Sequence, residues 1–144
     1  MNDQDFTSYF KTKELLKLYF SLTPMDKNIL HRYGAQKVEN SSLGRQNEEG
    51  FSSKNLCQYL WVSAANVIPQ GHYFLAEKLL YKALEMTDND LDKAHIHSNL
   101  AQVYADQNKL AECCFHCKKT IDTEFFIPWA KNLLKRCSEK EKNL

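Results

Sequence analysis

Asn99-Leu100-Ala101-Gln102-Val103-Tyr104 and, across a turn, Leu110-Ala111-Glu112-Cys113 form a segment that repeats an earlier part of the same chain. Laying Gly71-x-Tyr73-x-x-Ala76 over Asn108-x-Leu110-x-x-Cys113 sets Leu80 over Cys117, Ala83 over Thr120 and Leu84 over Ile121. Upstream, the same alignment puts Ala64 over Ala101 and Val67 over Tyr104. Self-similarity at a fixed offset marks stacked units, each too small to bury its own apolar face.

Working outward from this segment, the spacing predicts five helices in the C-terminal part. Leu56 to Ile68 is apolar on several sides and stops at Pro69; Gly71 marks a turn; Tyr73 to Met86 is rich in Leu, Ala, Lys and Glu. Asp92 to Gln107, Leu110 to Thr123 and Pro128 to about Glu139 complete the set, and connections this short join antiparallel neighbours. Toward the N-terminus, Phe6, Tyr9, Phe10, Leu15, Leu16, Tyr19 and Phe20 fall on one stripe of an amphipathic helix. A second, shorter helix runs from Pro24 to Tyr33, with Thr23 as its cap and Gly34 as its stop. Between Ala35 and Ser53 the periodicity collapses into Ser, Asn, Glu and Gly, the composition of a flexible linker. The chain therefore divides into an N-terminal helical segment (1–34), a linker (35–53) and a helical-repeat domain (54–144).

These residues resemble the tetratricopeptide repeat family. Asn99 to Tyr104, the turn, and Leu110 to Cys113 are similar to the family's first helix, turn and second-helix start, and Gly71 to Ala76 through Ala83-Leu84 is similar to its turn and second helix. The resemblance spans about residues 56 to 124 and amounts to two repeats, 37 residues apart from Gly71 to Asn108, which lengthens the turn at Asp88 to Asp92 relative to the family's period of about 34. It implies an all-α fold of antiparallel hairpins. Small residues at Ala64, Ala76, Ala101 and Cys113 would let the helices approach, with Tyr73, Leu80, Tyr104 and Ile121 filling the gaps. The helix from Pro128, with Trp129, Leu133 and Leu134 inward, resembles the family's C-terminal capping helix. The aromatic N-terminal helix is placed to cover the other end.

Composition agrees with a folded helical protein: 144 residues with 43% hydrophobic and 12% aromatic side chains, but only 4 Gly and 3 Pro to make turns. With 19 Lys+Arg against 18 Asp+Glu the formal charge is +1, so no global field draws in nucleic acid or an anionic membrane. The N-terminus Met1-Asn2-Asp3-Gln4-Asp5 has neither a basic start nor an apolar run, and no stretch reaches the length of a membrane span, which predicts a cytoplasmic product. Five cysteines, an odd number in such a setting, read as reduced thiols.

No residue set assembles an enzyme. Cys113-Cys114-x-His116-Cys117 is spread over more than half of one helix and cannot all face one ion, so it reads as packing rather than as metal or redox chemistry. Cys57 and Cys137 read likewise. His95 and His97 point to opposite sides of their helix without a nucleophile at a usable spacing. Trp61 and Trp129 lack the basic neighbours that base stacking needs.

What the resemblance implies is a non-enzymatic interaction module without a cofactor, whose first helices line a groove for a partner peptide or helix. Gln58, Trp61, Ala65, His95, Ser98, Asn99 and Gln102 are the groove residues so expected, and Phe6, Tyr9, Phe10, Tyr19 and Phe20 are a second candidate interface. Two alternatives stand beside it. One is a chaperone-tail adaptor, for which Asn99 resembles a clamp residue while Trp61, Ala65, Trp129 and Leu133 occupy positions where that subfamily carries Lys, Asn or Arg. The other is a structural subunit that forms homo-oligomers through its aromatic helix.

Overall fold

The computed structural model describes residues 13–35 and 53–143. Phe6, Tyr9 and Phe10, and the linker apart from its two ends, lie outside the described residues. The described chain is all-α: α1 Lys13–Ser21, α2 Pro24–Tyr33, α3 Ser53–Val67, α4 Tyr73–Glu85, α5 Asp90–Asp106, α6 Leu110–Asp122 and α7 Ile127–Lys142. Its described residues fall into two compact units, divided between Met86 and Thr87, and the division falls inside the span 54–144 that the sequence reads as one domain.

In the first unit, the Thr23 hydroxyl accepts the Asp26 N–H at 3.0 Å and Pro24 fills the first turn, so α2 starts where its capping residues dictate. Gly34 ends it in an ordinary backbone conformation, and the need for glycine is one of space: a Cβ there would stand 2.4 Å from the Leu30 carbonyl oxygen. The next residue, Ala35, donates its N–H to Ser63 Oγ at 3.0 Å, and Ser63 in turn bonds Tyr59, whose burial pushes its phenol well above the usual range. The first residue of the expected linker is thus tied to α3.

Tyr19 and Phe20, read as one aromatic face, separate. Tyr19 is 0% exposed, its hydroxyl 2.6 Å from His31 Nε2, whereas Phe20 is 56% exposed beneath the Lys27 ammonium. The α3 helix runs into a 3-10 turn, Ile68–Gln70, at Pro69, and Gly71 closes it at φ 82°, where a Cβ would be strained. Packing of α3 on α4 buries Leu56, Leu60 and Ala64 against Ala76, Leu79 and Leu80, and the Cys57 thiol donates to the Ala83 carbonyl at 3.4 Å.

The second unit opens on a local network. Asn89 caps α5 by accepting the Asp92 N–H at 3.0 Å, while Thr87 Oγ1 accepts the Asn89 N–H and donates to Asp92 Oδ2 at 3.1 Å. This network starts the helix at Asp90, two residues ahead of the predicted Asp92. Burial then reveals position: α6 lies between α5 and α7 and buries Cys113, Cys114, His116, Cys117 and Thr120, whereas α7 buries only the stripe Ala130, Leu133 and Cys137. The expected inward face of α7 needs correction, because Trp129 sits one residue off that stripe and is 39% exposed. Ala101 and Cys113, expected as small contact residues, are both 0% exposed.

Among the described residues, no helix is long and apolar enough to cross a membrane.

Candidate functional site

Four of the seven expected groove residues converge. His95, Ser98, Asn99 and Gln102 recur on α5 at steps of three and four, and with Phe126 and Trp129 they line an open pocket of about 440 Å³. That volume lies within the range of small-ligand and peptide side-chain pockets. The other three, Gln58, Trp61 and Ala65, are half-buried on α3 in the first unit and are not part of this lining.

Phe126 reaches the pocket through an unusual turn. Glu124 at φ 69° and Phe126 at φ 57° both occupy the left-handed region, and Phe126 forms the N-cap position of α7. For a bulky side chain this conformation is costly, and it turns the ring edge-on to His95 at 4.9 Å. Thr123 fastens the turn, its hydroxyl donating to the Thr120 carbonyl at 2.6 Å and accepting the Phe125 N–H at 3.2 Å. Glu124 is exposed and touches nothing that requires its side chain, so Glu124→Gly is expected to raise stability by about 1 kcal/mol, the cost of a non-glycine residue in this region. Thermal unfolding of the two proteins checks this.

The lining is neutral. Burial lowers the His95 imidazole below its usual range, against a smaller opposing effect of Asp92, and no Lys or Arg lines the pocket. Ser98 Oγ donates to the His95 carbonyl at 3.0 Å and Gln102 Nε2 donates to Asp106 at 2.7 Å. The Asn99 amide makes no side-chain hydrogen bond among the described residues.

On the opposite side of α5, His97 meets His116 of α6. Their Nδ1 atoms are 3.0 Å apart, so one ring donates and the other accepts, and the Tyr104 ring stacks on His116 at 5.5 Å. Burial, with Lys119 and Lys93 adding repulsion, pushes His97 down to about 4; burial, with His97 and Lys119, does the same for His116. Sequence reading missed this pair, although His97 falls between Ala94 and Ala101 on a buried stripe, where an imidazole must find a partner.

The remaining cysteines are buried on α6 and α7. Cys113 lies within hydrogen-bonding reach of Cys117 and Cys137, and Cys114 Sγ is 3.6 Å from Ser138 Oγ. The hydrogen bond to Cys117, then burial, raises the Cys113 thiol, and burial pushes Cys137 up to about 12, so both are poor nucleophiles. Among the described residues no group of three or more His, Cys, Asp or Glu is placed to hold a metal ion.

No family model matches the chain, and no curated protein or solved structure shows detectable similarity to it.

Proposed function

We propose that the chain is a non-enzymatic helical-repeat module of tetratricopeptide type, in which α3 with α4 and α5 with α6 are the repeating hairpins, α7 is the cap, and a partner peptide lies along the α5 face. The observation that carries this reading is the pocket, where two half-exposed aromatic rings, Phe126 and Trp129, flank a row of polar residues spaced one helical turn apart on α5. Aromatic anchors beside satisfied polar groups are the usual makeup of an interface hot spot. The Asn99 amide offers a donor and an acceptor, the pair that one peptide unit requires. An acidic chaperone tail, by contrast, finds no cation in this lining.

The test is selection of a random peptide library displayed on phage against the full chain, followed by affinity measurement. Peptides that shift the Trp129 indole resonance are expected to lose about thirtyfold in affinity with Trp129→Ala, the worth of a 2 kcal/mol anchor. The helix content of the variant should be unchanged, since the ring is 39% exposed. Peptides bound equally by a folded Trp129→Ala variant would place recognition elsewhere.

A further inference from the structure

The bonds already made inside the pocket restrict what it can accept. Ser98 has one hydroxyl proton and donates it to the His95 carbonyl, which leaves only lone pairs on Oγ. Gln102 commits one of its two Nε2 protons to Asp106 at 2.7 Å, which turns the amide so that its carbonyl oxygen is free to accept from another donor. Asp106 places an exposed carboxylate one hydrogen bond from the lining. Asn99 adds an amide that can both donate and accept, and beside these groups stand Phe126 and Trp129, each 39% exposed, whose π faces carry partial negative charge. No Lys or Arg lines the pocket, and burial lowers the His95 imidazole below its usual range.

The complement of such a surface is a planar cation rich in N–H donors. We propose that the pocket of α5 and α7 receives an arginine side chain of the partner peptide, its guanidinium stacked against Trp129 or Phe126 and donating to Gln102 Oε1 and Ser98 Oγ. Arginine fits better than lysine because its five donors lie in one plane, so a face can stack on a ring while an edge bonds to oxygen, and because it is more weakly hydrated. The Asp106 carboxylate adds a favourable charge without contacting the ligand directly. This inference rests on the peptide-binding reading above and specifies the chemistry of the residue that the pocket recognises.

The same selection separates the two. Peptides that shift the Trp129 indole are expected to share an arginine, and replacing it with citrulline, its neutral isostere, should weaken binding about tenfold. Asp106→Asn, which keeps an oxygen facing Gln102 and removes the charge, should weaken the arginine peptide about threefold and leave the citrulline peptide unaffected. Peptides that occupy the pocket but tolerate citrulline would overturn the arginine assignment while leaving the groove intact. Equal binding after Arg→Lys substitution in the peptide would also overturn it, because a point charge would then suffice. Failure to recover any peptide that perturbs Trp129 would overturn both readings.

Discussion

Acidification from pH 7 to pH 5 is expected to destabilise the second unit through His97 and His116. Both imidazoles are held down to about 4 in the folded chain, against about 6.5 when unfolded. Between those values the unfolded chain binds more protons than the folded one, so stability is full above about pH 6.5 and falls as the pH drops toward 4. The slope reaches at most about 1.4 kcal/mol per pH unit for each histidine. The chemistry of the pair gives the loss two stages. A first proton on the outer nitrogen of the donor ring leaves the 3.0 Å contact intact at the cost of a buried charge; a second turns both Nδ1 atoms into donors and breaks it.

Urea unfolding followed by Trp129 fluorescence in a Trp61→Phe background would measure this in the unit concerned. His97→Leu with His116→Leu removes both partners and should flatten the pH dependence. His116→Leu alone should cost about 1–3 kcal/mol at pH 7, because it strands a buried nitrogen on His97. A double variant as acid-sensitive as the parent would show that other groups carry the effect.

Leu100→Ala is expected to produce the largest single loss at neutral pH, about 2–5 kcal/mol, since the side chain is 0% exposed and its removal leaves a cavity. Leu91, on the same helix but 43% exposed, supplies the control: Leu91→Ala should change stability by no more than about 0.5 kcal/mol. The comparison isolates burial, because both substitutions remove the same atoms from the same element. Similar losses in the two variants would mean that α5 is oriented differently from the arrangement described.

The same helix shows how much of this protein is legible without coordinates. Periodicity, proline and capping residues place the elements closely: Thr23-Pro24 begins α2, Pro69 breaks α3, and Leu110 begins α6 as predicted. Small side chains at Ala64, Ala76, Ala101 and Cys113 anticipate positions that are completely buried. Helical spacing also puts His95, Ser98, Asn99 and Gln102 on one side of α5, and those four do line one pocket. Each of these is a local property, set by φ and ψ preferences and by the 3.6-residue turn.

Spacing within one helix says which side chains share a face, but not which face meets which neighbour. That choice belongs to tertiary packing. Ala130, Leu133 and Cys137 provide the contact of α7 with the rest of its unit, which leaves Trp129 at the pocket instead of in the core. Helical spacing does not mark Phe126 for the pocket; the left-handed turn at Glu124 and Phe126 directs its ring toward His95. His97 and His116 are 19 residues apart and become partners because α5 and α6 pack side by side. The sequence by itself determined the helices and the residues that share each face; the tertiary structure decided the pairing of faces, because burial of apolar area is shared among all the helices of a unit and no single helix contains it.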